Sequence, residues 1–259
     1  MKQNNPQIYP VIPVRDMIVF PGVVSPLFIS RPRSIRAVEE AGEHDRIIFI
    51  TAEKKPYADT IQPEGLYKIG TVCKILQNVR LPDGSLKVVV EGGYRAEAVR
   101  FATNESFMLA SVMPLETEKG EPSLETRARM RSVLREFEQN VRLDPKLPEE
   151  ISRSVQDIDS PDVLCDVVAS HSRLDITEKQ KILETADAED RLNLLIKMLI
   201  TENELLGIER DLEDRVRSEI DKDQHNYYLR EQLKVINEEL GEESPASEAE
   251  ELRAAALAS

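Results

Sequence analysis

The sequence near the C-terminal end of this 259-residue chain predicts one long helix. At 1.5 Å per residue, residues 205–240 span roughly 50 Å, which exceeds the width of a small domain. We therefore expect an arm that protrudes from the domain before it. The apolar residues of this stretch recur on two heptad positions: Leu205, Leu212, Leu233 and Leu240 on one, and Ile208, Leu229 and Ile236 on the other.

The middle of this heptad seam is polar, because Glu219, Lys222 and Asn226 stand where apolar residues are expected. The helix is therefore not buried uniformly along its length. Two interpretations remain open. The stretch is either a solvated helix of a bundle, or a coupling arm that holds a folded module at a distance from something else. Its length favours the arm, since helices of compact domains usually run about 8 to 20 residues.

Charge is distributed unevenly along the chain, whose net charge is −14. Residues 1–118 carry 14 basic and 14 acidic side chains, and residues 119–259 carry 20 and 34. This asymmetry predicts a domain boundary near residue 118. It also disfavours general binding to DNA, RNA or anionic lipid, because binding to polyanions depends on a cationic surface.

The cysteines and the N-terminal residues indicate the compartment. Cys73 and Cys165 are far apart in sequence and fall on opposite sides of the predicted boundary, which is typical of two reduced thiols. The start of the chain lacks an apolar signal segment, and no uninterrupted apolar run is long enough to cross a membrane. We expect a soluble, cytoplasmic protein without membrane contact.

The first 118 residues are predicted to form a small barrel-like β domain. A short helix interrupts the strands, with Ser30 as its cap and Pro32 in its first turn. Pro82-Asp83-Gly84 predicts a hairpin turn, and Gly92-Gly93 permits a bulge or bend. Strands are predicted at 9–14, which its two prolines make an edge strand, and at 24–29, 46–51, 66–81, 85–91, 94–101 and 107–115.

Residues 119–203 are predicted to form a helical bundle. Oxygen-bearing caps mark the helix starts: Ser123, Ser160 before Pro161, Thr177 in a capping box with Gln180, and Asp187. Nothing breaks the helical pattern between the last bundle helix and the arm. The predicted domains are therefore a β-rich domain at 1–118, a bundle at 119–203, a long helix at 204–243 and a disordered tail at 244–259.

Several motifs, taken in order, give the chain a strong family resemblance. The motifs are residues 9–29 (YPVIPVRDMIVFPGVVSPLFI), 34–40 (SIRAVEE), 70–77 (GTVCKILQ), 81–84 (LPDG), 88–92 (VVVEG), 157–161 (DIDSP), 169–171 (ASH), 178–181 (EKQK), 226–234 (NYYLREQLK) and 239–242 (ELGE). With these motifs the chain resembles the amino-terminal region of bacterial Lon proteases over nearly its whole length. The resemblance implies an α+β fold with a PUA-like β-barrel domain, an α-helical bundle and one long protruding helix.

Catalytic motifs are not found in the sequence. A P-loop ends in Lys-Ser or Lys-Thr, and no lysine of this chain precedes either residue. A serine in a nucleophile elbow is absent, and the histidines and cysteines show no metal-binding spacing. We expect no catalytic, cofactor or metal site. The resemblance implies that ATP and Mg²⁺ belong to a downstream module, and that serine-lysine proteolysis belongs to another.

Two groups of residues are candidates for binding. An apolar loop beside a cluster of arginines provides an amphipathic rim for extended polypeptide, and an adjacent tyrosine pair with the distal apolar seam provides a contact between subunits. The alternatives are ordinary packing and solvated charge. The substrate-binding candidates are Phe20, Pro21, Val23, Val24, Arg31, Arg33 and Arg36, and the inter-subunit candidates are Tyr227, Tyr228, Leu229, Leu233, Ile236 and Leu240.

Three functional hypotheses follow. The first is a non-catalytic recognition module that binds unfolded, damaged or tagged proteins for degradation by an ATP-dependent protease. The second is an RNA-binding module, since the PUA-like fold takes its name from RNA-binding relatives, although the acidic charge opposes it. The third is a structural element that sets the geometry of a hexamer through self-association, and it is compatible with the first.

Overall fold

The computed structural model describes residues 6–54, 62–104, 106–115 and 121–240. The chain divides into two compact units, Met1–Leu206 and Gly207–Ser259. The predicted boundary at 118 stays a prediction, and the predicted tail at 244–259 lies outside the described residues.

The strands are β1 Gln7–Val14, β2 Val24–Ile29, β3 Ile47–Ala52, β4 Ile69–Arg80, β5 Leu86–Thr103 and β6 Met108–Pro114. The helices are α1 Pro32–Glu43, α2 Leu124–Leu143, α3 Glu149–Ser154, α4 Pro161–His171, α5 Ile176–Glu184 and α6 Ala188–Leu240.

The six strands form one sheet in the order β2-β5-β4-β3-β1-β6. β1 and β3 run parallel, and the other neighbours are antiparallel. An additional pairing between β6 and the second half of β5 closes β5, β4, β3, β1 and β6 into a barrel. β2 pairs with residues 86–91 of β5 and flanks the barrel. The predicted α+β fold with a barrel-like β domain is confirmed.

The glycine pair in the middle of β5 lies at a bulge, as predicted. The register against β4 shifts at this point, because Val72 pairs with Tyr94 and Cys73 pairs with Gly92, which leaves Gly93 unpaired. The strand does not end there, however. β5 is a single strand of 18 residues where two strands were predicted, because a bulge increases the twist of a strand without ending it.

The hairpin turn between β4 and β5 is also confirmed. Gly84 has a φ of +85°, which glycine adopts without the steric penalty of a side chain. The Asp83 carboxylate accepts the Ser85 backbone N–H at 3.0 Å and lies under the turn. These two residues therefore hold the chain reversal that the sequence predicts.

The prediction that β1 is an edge strand is wrong. β1 lies between two strands, since Gln7–Pro10 pair with β6 and Val11–Val14 pair with β3. Each half nevertheless has a partner on one side only, so Pro10 and Pro13 are tolerated although they lack an N–H. Among the described strands, none pairs with the other side of Val11–Val14.

The predicted start of α1 is wrong by one residue. Arg31 occupies the cap position and makes no side-chain cap, and Pro32 begins the helix with its preset φ. The predicted cap at Ser30 is therefore not formed. The caps at Ser123 and Asp187 are confirmed, since each side chain accepts a backbone N–H three residues later, at 3.0 Å and 2.8 Å.

The capping box of α5 lies two residues before the predicted one. Asp175 accepts the Glu178 N–H at 2.7 Å, and Glu178 accepts the Asp175 N–H at 3.0 Å. The predicted pair of Thr177 and Gln180 is wrong, because α5 begins at Ile176 and Thr177 therefore lies inside the helix, while Gln180 is buried. Its amide donates to the carbonyl of Ile69 on β4 at 3.0 Å and thereby ties α5 to the barrel.

The β-rich part and the helical bundle share one apolar core. Ile18, Phe20 and Ala52 come from the β-rich part, and they belong to the same buried cluster as the bundle residues. Burial of these side chains removes apolar surface from water on both parts at once. The bundle residues in this core include Val133, Phe137, Leu164, Val168, Ile182, Leu192, Leu195 and Leu199.

Cys73 and Cys165 are both unpaired and buried. Burial raises the pKa of both thiols, that of Cys165 to about 12, because the thiolate is poorly solvated inside the protein. Both side chains are therefore neutral thiols, which agrees with the prediction of reduced cysteines.

α6 is one continuous helix of 53 residues, as the uninterrupted pattern predicts. Its first part belongs to the bundle, where Leu192, Leu195 and Leu199 are fully buried. Residues 207–240, here called the arm, belong to the second unit and keep their apolar seam exposed: Leu212 is 54% exposed and Leu233 59%. In the described ranges, no helix combines the length and hydropathy needed to cross a membrane.

Candidate functional site

The loop after β1 is held against β5 by backbone contacts. Gly22 donates its N–H to the Gly92 carbonyl at 2.8 Å, and Gly92 donates to Val23 at 3.0 Å. A Cβ on Gly92 would lie 2.1 Å from the Phe20 carbonyl oxygen, so only glycine permits this approach. Phe20 itself is 0% exposed. Its side chain belongs to the core and is not accessible in this structure, whereas Pro21 and Val23 are partly exposed.

An exposed apolar row lies on β2. Val24, Pro26 and Phe28 face away from the barrel interior, while Leu27 and Ile29 between and after them are buried. Val24 is 54% exposed and Phe28 is 71% exposed. The Lys87 ammonium lies 5.8 Å from the centre of the Phe28 ring. This row extends the candidate surface from Val24 to Phe28.

β2 has an unpaired side. The hydrogen bond from Gly92 shows that the Val23 carbonyl points toward β5, and backbone groups alternate in direction along a strand. The backbone groups of Val24, Pro26 and Phe28 therefore point to the opposite side, with which no described strand pairs. The N–H that Pro26 lacks would point to this side, so its absence removes no hydrogen bond between β2 and β5.

A groove of about 410 Å³ runs along that unpaired side. One wall is formed by residues 26–31, which are the second part of β2 and the two residues before α1, and the other by residues 12–17, which are the end of β1 and the following turn. We call it the β1–β2 groove. Both walls come from strand segments that lack a partner on the facing side, so the groove is an interruption in the strand ladder.

Arginines surround one end of the β1–β2 groove. Arg31 donates to both carboxylate oxygens of Glu53, one at 3.2 Å, and the Arg15 guanidinium lies 3.6 Å from the same carboxylate. Glu53 is 4% exposed, so one buried negative charge is shared between two guanidiniums. Arg33 and Arg36 are exposed on α1. Of these arginines, Arg15 and Arg31 line the groove, together with Asp16.

A second cluster of charges lies between the barrel and the bundle. Arg95 on β5 donates to both carboxylate oxygens of Asp166 on α4, one at 2.9 Å, and Arg191 on α6 lies 3.2 Å from Asp162 and 3.7 Å from Asp166. Burial raises the pKa of the Asp166 carboxyl, and the two guanidiniums oppose that shift. Arg95 also donates to the Leu183 carbonyl at 3.2 Å.

The two positive charges of this cluster balance the two negative charges. Its ion pairs link β5, α4 and α6 to one another. Its edge lines a cleft of about 900 Å³ that also contains Pro21 and Val163. Among the residues that the structure describes, no group of three or more His, Cys, Asp or Glu side chains is placed to hold a metal ion. The cleft therefore offers charged and apolar surface.

The inter-subunit candidates are exposed on the arm. Tyr227 is 68% exposed and Tyr228 is 60% exposed, and the Tyr228 hydroxyl accepts a hydrogen bond from Gln232 at 2.9 Å. Leu229, Leu233 and Ile236 are 43%, 59% and 50% exposed. The Leu240 side chain lies outside the described residues. The described members of this group are thus accessible in the single chain.

Comparison with protein families identifies the fold. Residues 8–201 match the family model described as the ATP-dependent protease La (LON) substrate-binding domain. The chain belongs to this Lon substrate-binding domain family. The match begins in β1 and ends within α6, so it covers the barrel and the bundle. The 259 residues contain this domain and neither the ATPase module nor the protease module.

Relatives in the Lon substrate-binding domain family cover nearly the whole chain. The Lon protease of Azospirillum brasilense is 42% identical over 235 residues, which are 91% of this chain and 29% of that protein. The Lon protease of Escherichia coli K12 is 38% identical over 245 residues, which are 93% of this chain and 31% of that protein. The chain thus spans about 30% of the length of these curated relatives.

Solved structures share the fold. The N-terminal domain of a Mycobacterium avium complex Lon protease matches with a TM-score of 0.62 at 24% sequence identity. The match covers 74% of this chain and 98% of the solved chain. The Lon N-terminal domain protein of Xanthomonas campestris has a TM-score of 0.55 at 16% identity, with the same coverage. The predicted membership of the Lon family is confirmed, and the RNA-binding alternative has no support from these comparisons.

Proposed function

We propose that this chain binds unfolded or damaged proteins for degradation by an ATP-dependent Lon-type protease in the cytoplasm. The observation that carries the proposal is the exposed apolar row Val24, Pro26 and Phe28 beside the arginines around the β1–β2 groove. Unfolded proteins expose the apolar side chains that folded proteins bury, so this row distinguishes the two states. The chain contributes recognition, and ATP and Mg²⁺ act in modules outside these residues.

The arm supplies a second proposed role, which is self-association. Its exposed leucines and isoleucines recur at heptad spacing, and an isolated helix in water is only marginally stable without a partner. The partner is the same segment of another copy, in a hexamer of the complete protease. Association of the arm alone is weak, and it becomes strong when neighbouring modules raise the effective concentration.

A binding assay tests the recognition role. Fluorescently labelled lactalbumin, reduced and carboxymethylated so that it stays unfolded, is titrated with the chain and compared with native lactalbumin. We expect binding of the unfolded form only. Phe28→Ser should weaken it, whereas Val99→Ser, which changes a residue that is 58% exposed on the second half of β5, should not. Equal binding of both lactalbumin forms, or of neither, would refute the proposal.

The same titration with a single-stranded RNA oligomer separates recognition from the RNA-binding alternative. Binding to RNA depends on cationic surface and weakens steeply with salt. The chain carries 48 acidic and 34 basic side chains, so we expect no RNA binding at physiological salt. RNA binding that exceeds the binding of unfolded protein would favour the alternative.

A further inference from the structure

We propose that the β1–β2 groove takes one extended segment of the substrate polypeptide, which adds as a strand to the unpaired side of β2. This inference rests on the proposed function and names its binding mode. Strand addition at a sheet edge obtains affinity from main-chain hydrogen bonds and specificity from alternate side chains. It therefore requires free backbone groups, an adjacent apolar surface and space for a chain.

The backbone groups are provided by Val24, Pro26 and Phe28. Each presents its carbonyl to the unpaired side, and Phe28 also presents its N–H. This follows because the Val23 carbonyl points toward β5, where it accepts from Gly92, and the direction of the backbone groups alternates from one residue to the next. β2 ends at Ile29, so the available edge is short. A short edge fits a segment of a few residues.

The apolar surface and the space are on the same side of the molecule. Phe28 lines the groove and is 71% exposed, and Pro26 lines it as well. Alternate residues of an added strand face the same way as these two side chains, since side chains on paired strands share the faces of the sheet. The groove therefore selects a segment with apolar residues at alternate positions.

Charge identifies the other side chains of the bound segment. Arg15 and Arg31 line the groove with 43% and 27% of their side chains exposed, and they share the single buried carboxylate of Glu53. Among the described residues that line the groove, Asp16 carries the one negative charge, so the lining has two positive charges against one negative while Glu53 is buried beneath them. The complementary occupant alternates apolar residues with acidic ones, and a basic segment is disfavoured.

Peptide probes test this binding mode. The probe is a fluorescein-labelled octapeptide of valine alternating with glutamate, and its matched controls carry N-methyl groups on either the odd or the even amides. N-methylation removes hydrogen-bond donors from one edge of the added strand and keeps its side chains. We expect the unmodified peptide to bind, and at least one of the two methylated peptides to bind about tenfold or more weakly, since it loses main-chain hydrogen bonds to β2.

Variants of the protein locate the site. Phe28→Ala should weaken binding of the unmodified peptide, Val99→Ala should not, and replacing the glutamates of the peptide by lysine should weaken binding. Hydrogen exchange of the Phe28 amide should slow when the peptide binds. Equal affinity of all three amide forms, no binding of the unmodified peptide, or an unchanged Phe28 amide would overturn the proposal.

Two outcomes separate this proposal from the broader one. If unfolded lactalbumin binds, but the affinity of the octapeptide depends neither on its amides nor on Phe28, recognition occurs elsewhere on the chain. In that case only the groove proposal fails. If sedimentation shows dimers that Phe28→Ala dissociates, and the octapeptide does not bind, a second copy occupies the edge of β2, and the groove proposal is again overturned.

Discussion

Removal of the Asp166 carboxylate should destabilise the first unit strongly. Asp166 has 3% of its side chain exposed, and it faces Arg95 and Arg191, which have 5% and 0% exposed. Asp166→Ala leaves both guanidiniums buried, with Asp162 as the remaining carboxylate near Arg191 at 3.2 Å. Loss of one partner of a buried ion pair costs about 3–5 kcal/mol, because the remaining charge is not solvated.

This cost is a large share of the stability of a typical domain, which is about 5–15 kcal/mol. The matched control is Glu138→Ala, which breaks the ion pair between Glu138 and Arg142. The side chain of Glu138 is 46% exposed and that of Arg142 is 72% exposed. An exposed pair contributes about 0–1 kcal/mol, because water and salt screen it. The structure therefore predicts that the buried substitution costs several times more than the exposed one.

Urea unfolding measures the difference. The chain has no Trp and 6 Tyr, so circular dichroism and tyrosine fluorescence report the transition. Replacing both members of the bidentate pair, as Arg95→Met with Asp166→Leu, should recover part of the loss, since a buried pair is often no better than apolar residues of similar size. A loss for Asp166→Ala no larger than that for Glu138→Ala would refute this reasoning.

Three further predictions concern the loop, the units and the arm. Gly92→Ala should lower the midpoint of urea unfolding, because its Cβ would meet the Phe20 carbonyl oxygen at 2.1 Å, whereas Gly42→Ala, with nothing within 4 Å, should leave the midpoint unchanged or raise it. Truncation after residue 206 should keep a cooperative thermal transition, and a broad transition would contradict the independence of the first unit. Leu233→Ala with Ile236→Ala should reduce self-association in sedimentation over a concentration series without changing that thermal transition. A wild-type chain that stays monomeric at every concentration would contradict the role of the arm.

Local patterns predicted the elements well, because caps, turns and periodicity depend on neighbouring residues. The turn at Gly84, the bulge at Gly93 and the continuity of α6 are all confirmed. The errors at α1 and α5 concern which residue near the helix start occupies the cap position: Arg31 instead of Ser30 in α1, and Asp175 instead of Thr177 in α5.

The candidate site was less predictable, because it depends on contacts between distant residues. β2 is apolar at nearly every position, so the sequence did not show that Phe28 faces out and Leu27 faces in. The unpaired sides of β1 and β2 follow from closure of the barrel by β5 and β6, which no local pattern encodes. Arg95 and Asp166 are 71 positions apart, and no spacing rule connects them.

The core shared by barrel and bundle has a consequence during synthesis on the ribosome. The last barrel strand ends at Pro114, but the cluster that contains Phe20 also includes residues as late as Leu199. At 5–20 residues per second, the intervening stretch takes roughly 4–17 s to emerge. The nascent barrel carries the Phe20 side of its surface uncovered throughout that interval. We therefore expect newly made chains to expose this apolar surface to chaperones until α6 has emerged.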